Sequence, residues 1–357
     1  MAKLVLNKLL SQMGETVISH EEIDQIRSED ELKLKYSIAY QKMGVKEAIF
    51  IFNANNLLKD LHLFKMEVKR LEQESKIERS AHKVIEIPFE MAGKLIAVDV
   101  LLNGKKRKFL LDSGAPRVIV NSKYLSIKGT SPRSISSSTG VSGNINGMDI
   151  EEVEQLDFVG IQLNNQKVIT LNLSHLEEEL EYEIYGLIGY ELIKNYDILF
   201  DYGNQMLTLV DPEHFEEYLK VELANSQLKI VSFKMERHIP TITAVIGRKE
   251  LKLGIDSGAE SNLINKGLFN TLEEEVANII IEELVGAGDN PKTVKKGQIK
   301  TIKIGDKDFK DSPTLFGDIS HLNKSYNVSL DGLIGYPILS KQKTFISFKR
   351  NELMFID

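Results

Sequence analysis

The stretch LLDSGAPRVIV, Leu110 to Val120, runs from leucines into Asp-Ser-Gly and straight back into valine and isoleucine. Asp, Ser and Gly are residues that tight turns favour, and a turn would account for one such stretch. It occurs again as LGIDSGAESNLI, Leu253 to Ile264, with Asp256 144 positions after Asp112. Outward from this pair, Ala115 matches Ala259, Ile119 matches Leu263 and Asn121 matches Asn265. LSHL at Leu173–Leu176 answers ISHL at Ile319–Leu322, and YGLIGYELI at Tyr185–Ile193 answers DGLIGYPIL at Asp331–Leu339, both shifted by 146. DFVG ending at Gly160 lines up with IKIG ending at Gly305. Matching anchors in one order indicate a single unit duplicated and fused.

Duplicated units tend to pack about a pseudo-twofold axis, so whatever lies near the axis meets its own copy. The residue least at home between apolar strands is the aspartate, so Asp112 and Asp256 are expected to face each other. Two carboxylates about 3 Å apart cannot both ionise and share one proton. One then serves as base and the other as acid at the same pH, enough to drive a water onto an amide carbon. The neighbours suit this work. Gly114 and Gly258 allow close backbone approach and offer N–H groups to the carboxylates. Ser113 and Ser257 can bond across the interface, and a dyad needs such rigid support. Ala115 and Ala259 add bulk without another hydroxyl.

The chain has 357 residues, 42% hydrophobic and 27% charged, with a net charge of -7 and no cysteine. The acidic balance argues against a nucleic-acid partner, and the missing thiols exclude disulfides and thiolate chemistry. No apolar run approaches the length of a membrane span. MAKLVLNKLLSQMGE makes a poor signal peptide. A soluble, cytoplasmic protein is expected, or a periplasmic or secreted one if a leader is removed.

Three parts follow one another. Residues 1–83 contain no proline, and Ser19/Glu22 and Ser28/Glu31 have the form of helix capping boxes. With Ala39, Met43, Ala48, Ile51, Leu57 and Leu58 spaced between them and the charged run KMEVKRLEQESKIERS, this part predicts a small α-helical domain. From Val84 the texture turns to short alternating strands, with Asn103-Gly104 as a hairpin signal. The fold class expected is mainly β: a duplicated, bilobal β-barrel unit, with lobe 1 at 84–210, a helical linker at 211–228 and lobe 2 at 229–357.

DSGA followed by an apolar strand, with GLIG at Gly186–Gly189 and again at Gly332–Gly335, resembles the retropepsin-like aspartic proteases. In that family the Asp-Ser/Thr-Gly loop is catalytic, and the glycine of the second motif lets a strand pass beneath it. Alanine after the glycine is the retroviral-type form, here carried by both lobes of one chain. The resemblance spans about residues 84–357. It implies an aspartic endopeptidase with Asp112 and Asp256 catalytic, active as a monomer, with no cofactor and no metal. The substrate implied is a peptide or protein in the inter-lobe cleft, beneath flap hairpins. STGVSGNING supplies Gly140, Val141, Ser142 and Gly143 for one flap, and LVGAGDN supplies Gly286, Ala287 and Gly288 for the other. No tyrosine lies between Tyr124 and Tyr182, so the pepsin-type flap tyrosine is missing. The rival reading is a catalytically inactive relative whose cleft binds a peptide or partner.

His175 and His321 occupy equivalent positions but lack a second ligand at zinc-like spacing, and are expected to close loops by hydrogen bonds. EEELEYE at Glu177–Glu183 is expected to be a solvated face. Pro116-Arg117 against Glu260-Ser261 predicts an asymmetric cleft.

Overall fold

The computed structural model describes residues 17–28, 31–41, 44–54, 57–65, 76–125, 138–140, 143–145, 149–284 and 292–357. The chain divides into two compact units, Met1–Glu74 and Ser75–Asp357.

The first unit corrects the helical expectation. Val17–Arg27, Glu31–Tyr40, Gly44–Asn53 and Leu58–Lys65 form a four-stranded antiparallel sheet in chain order. Leu32, Leu34, Tyr36, Ile38 and Tyr40 alternate with other residues, which is the period of a strand. Every second side chain then falls on one face, where Ile38, Tyr40 and Ala48 are buried with Tyr36 and Phe50 against them. The Ser19/Glu22 pair lies inside the first strand, and Ser28/Glu31 spans the passage to the second. Met43 and residues 66–75 of the charged run lie outside the described residues. Ile77–Glu78, counted above with this part, pairs instead with Leu163–Gln162 of the second unit.

The second unit is mainly β and holds two six-stranded barrels. In the first, β1 (Leu95–Leu102), β2 (Lys105–Leu111), β3 (Ile119–Asn121), β4 (Asp149–Phe158), β5 (Ile161–Leu171) and β6 (Gly186–Ile188) close in the order β3-β6-β2-β1-β4-β5, with β5 returning to β3. The second repeats it with β7 (Ile239–Ile246), β8 (Lys249–Ile255), β9 (Asn262–Asn265), β10 (Lys292–Ile304), β11 (Lys307–Gly317) and β12 (Gly332–Ile334). Each barrel has the same mixed core: β6 lies parallel to β2 and antiparallel to β3, as β12 does with β8 and β9. Two helices also repeat, α1 (Ser174–Leu180) with α4 (Ser320–Tyr326), and the short turns α2 (Tyr190–Ile193) with α5 (Tyr336–Leu339). The linker carries α3 (Phe215–Glu222).

A six-stranded antiparallel sheet joins the lobes, in the order Leu228–Ser232, Glu352–Ile356, Lys343–Ser347, Asp197–Asp201, Met206–Val210, Val84–Pro88. Three strands come from each copy. At its centre Leu199 pairs with Phe345. These are equivalent residues under the 146 shift, so the pseudo-twofold axis runs through this pair. One continuous apolar cluster, from Ile87 and Phe109 to Ile255 and Phe355, spans both barrels.

Candidate active site

The last residue of β2 is followed by Asp112, and the last of β8 by Asp256. Leu111 pairs in register with Ile188, and Ile255 with Ile334. The parallel neighbour then fixes each aspartate's backbone: Asp112 N–H donates to Ile188 O and Asp256 N–H to Ile334 O, both at 3.0 Å. Beyond them Tyr190 N–H donates to Ala115 O at 2.8 Å, and Tyr336 N–H to Ala259 O at 2.9 Å. Each DSGA loop is thus pinned at both ends by the segment holding the GLIG glycine.

The two loops meet. Ser113 N–H donates to Ser257 Oγ at 3.0 Å, and Ser257 N–H to Ser113 Oγ at 2.9 Å. Both serines are 1% exposed, so neither amide has water as an alternative partner. Asp112 Oδ1 accepts from Gly114 N–H at 2.9 Å and Ala115 N–H at 3.0 Å. Asp256 Oδ1 accepts from Gly258 N–H at 2.8 Å. Gly114 N–H also reaches Asp256 Oδ1, at 3.2 Å, so one amide bridges the two carboxylates. A Cβ on Gly114 would lie 2.6 Å from Asp256 Oδ2, and one on Gly258 2.5 Å from Asp112 Oδ1. Only glycine permits that approach at each place.

Burial raises both carboxyls above the ordinary aspartate range. For Asp112 the charge on Asp256 adds to the effect, and the Ala115 and Gly114 amides work against it. Each carboxyl lies close enough to the other to act on its proton. This is the environment in which a carboxyl pair keeps one proton well above the pH at which an isolated aspartate loses it.

The flap candidates fall partly within the described residues. Ser138–Gly140 and Gly143–Ile145 form an antiparallel hairpin in which Gly140 pairs with Gly143. The hairpin lies beside α4 of the other lobe. Val141 and Ser142 lie outside the described residues, as do Gly286, Ala287 and Gly288. The strands leading to the latter, Val276–Leu284 and β10, pair up to Leu284 opposite Lys292.

The expectation for the acidic run changes, and part of that for the histidines does. His321 Nε2 is buried with no hydrogen-bond partner. The loops after α1 and α4 are closed by residues two positions beyond the histidines: Ile184 N–H donates to Glu177 Oε1 at 3.0 Å, while Asn323 exchanges bonds with the backbone of Leu330 at 2.9 and 3.0 Å. Glu177 is therefore no member of a solvated face. It is 8% exposed and also binds Lys123 Nζ at 2.8 Å and the Tyr124 hydroxyl.

The cleft is asymmetric. Glu260 Oε1, just past the second loop, accepts from Lys94 N–H of lobe 1 at 2.7 Å. His238 of lobe 2 contacts the first loop through Gly114 O. Tyr326, on α4, lies close enough for the charges of both aspartates to raise its pKa, after burial, to about 12. No motif marks His238 or Tyr326, whose counterparts in lobe 1 are Lys94 and Leu180.

Compared with known proteins, the chain matches no family model and no curated protein.

Proposed function

We propose that the chain is an aspartic endopeptidase of the retropepsin-like kind, with Asp112 and Asp256 as its catalytic pair. The observation that carries this is the Gly114 amide, which donates to Oδ1 of both carboxylates and so holds them in one hydrogen-bond network. An extended peptide lies between the lobes, adding a strand to the Ser138–Ile145 hairpin backbone. A water between the carboxyls gives a proton to the ionised partner as its oxygen bonds to the peptide carbon. The protonated partner donates to the carbonyl oxygen. Collapse of the tetrahedral species breaks the C–N bond, and the amine leaves with a proton from the dyad. Both aspartates belong to one chain, so a monomer suffices.

The test is cleavage of a diverse peptide mixture, read by mass spectrometry from pH 3 to 8, beside Asp112→Asn and Asp256→Asn. Wild type is expected to cut, and each variant to lose at least about a hundredfold in rate. A statine-type inhibitor, which imitates the tetrahedral species, should bind wild type far better than either variant. A wild type that cuts nothing and ignores the inhibitor overturns the proposal and leaves a peptide-binding cleft.

A further inference from the structure

His238 precedes β7 in lobe 2, yet it bonds to the catalytic loop of lobe 1. Its Nε2 lies 2.9 Å from Gly114 O. A carbonyl oxygen has no proton to give, so Nε2 carries the hydrogen and donates. The same peptide unit presents its other end to the dyad, because Ala115 N–H donates to Asp112 Oδ1 at 3.0 Å. A chain of bonds therefore runs from the imidazole N–H through the Gly114–Ala115 peptide to the Asp112 carboxylate. Donation to a peptide carbonyl polarises the unit and strengthens donation by its N–H.

The ring is fixed in this pose. His238 is 7% exposed. Tyr326 stands edge-on to it with centroids 4.7 Å apart, and Tyr190 lies tilted at 6.4 Å. Among the described residues the second loop has no such partner. At the place of His238 the duplicate carries Lys94, which bonds through its backbone to Glu260 rather than to Gly258 O. Among the described residues an imidazole serves only the Asp112 loop.

We propose that His238 is a positioning residue that links its own protonation to that of the Asp112–Asp256 pair through the Gly114–Ala115 peptide. The groups that face it are the phenol rings of Tyr190 from α2 and Tyr326 from α4, the Gly114 loop leading to the dyad, and Arg237 in its own turn. Burial lowers its pKa, the bond to Gly114 opposes this, and the Arg237 charge lowers it further. It is neutral near pH 7 and becomes charged only in more acidic solution. The imidazolium then draws the dyad's own titration downward, so the pair keeps its single negative charge further into acid. The kinetic arm of this inference rests on the endopeptidase reading; the titration arm does not.

The test follows the Asp112 and Asp256 13Cγ resonances with pH in the full chain, beside kcat and KM across the same range. Wild type is compared with His238→Gln, which keeps an N–H donor that cannot become charged, and His238→Phe, which has none. Wild type should show the histidine's titration as an extra inflection in the aspartate shifts. His238→Gln should lose that inflection yet keep kcat and KM within about twofold at pH 7, while losing activity at higher pH on the acid side. His238→Phe should raise the dyad's upper apparent pKa by about one unit. It should also lower kcat about tenfold at pH 7, with KM little changed. Identical aspartate titrations in wild type and His238→Gln overturn the linkage, a comparison that stands even if His238→Phe does not fold. His238→Gln behaving like His238→Phe overturns the peptide relay. If wild type cuts nothing but the aspartate titrations differ as stated, the endopeptidase reading fails and the linkage holds.

Discussion

Asp112 and Asp256 sit where a carboxylate is hard to ionise, which has a consequence for stability whatever chemistry they perform. Their folded pKa values are raised above those of the unfolded chain. Between the two values the folded state binds more protons, so the pair weakens the fold progressively as pH climbs above about 4. Asp112→Asn or Asp256→Asn removes one ionisation and keeps the shape. Either variant should be more stable than wild type at pH 7 by on the order of 2 kcal/mol. The difference should vanish near pH 3, where both carboxyls are protonated in both states. Thermal melts at pH 3, 5 and 7 measure this, and equal melting temperatures at pH 7 would show that the carboxyls are well solvated. Residues of this kind were legible in the sequence because the motif and the paired carboxyls coincide within four positions. His238 was not, since its bond to Gly114 O joins residues 124 apart and nothing around it in the chain marks the contact.

Among the elements, the repeated GLIG segments and the unrepeated linker helix were readable, and the N-terminal sheet was not. The GLIG segments could be matched to each other, and the structure runs each of them beside its own DSGA loop. The N-terminal sheet had no second copy to check against, and a Ser-x-x-Glu pattern outweighed the alternation of Glu31–Tyr40. The strand neighbouring each loop yields the second prediction. A Cβ on Gly189 would overlap Arg117 O, and one on Gly335 would overlap Ala259 O. Both obstacles are backbone carbonyls of the loops that follow the aspartates, and they cannot swing aside as a side-chain end can. Gly189→Ala and Gly335→Ala should each cost about 3 kcal/mol or more in urea unfolding. Gly203→Ala is the control, since its Cβ would meet only Asp201 Oδ1 at 3.6 Å. It should change stability by less than about 0.5 kcal/mol. A Gly335→Ala protein as stable as the control would mean that the loop can move away from the segment beneath it.

At the scale of the whole molecule, the duplication could be read from the chain, but the surface by which the copies join could not. Strands such as Asp197–Asp201 and Lys343–Ser347 carry no motif, and their pairing depends on the twofold relation itself. That relation makes Leu199 and Phe345 neighbours across the axis and gives each lobe half of one sheet. The linker strengthens the join on one side: Arg350 Nη1 donates to buried Asp197 at 2.7 Å, Nη2 to Pro212 O at 3.1 Å, and the guanidinium lies 3.9 Å over the Phe215 ring. A separated lobe would leave the central strand's hydrogen-bonding edge and part of the shared core open to water. The connection through residues 224–225 should therefore be dispensable for association. A chain cut there should run on size exclusion as one particle containing both pieces in equal amounts, and on the endopeptidase reading should cleave peptides within a few-fold of the uncut chain. The C-terminal piece made alone should aggregate and cut nothing, because it holds one aspartate of the pair and an open sheet edge. Pieces that separate after the cut would show that the tether, rather than the central sheet and the crossed Ser113–Ser257 bonds, holds the two carboxylates together.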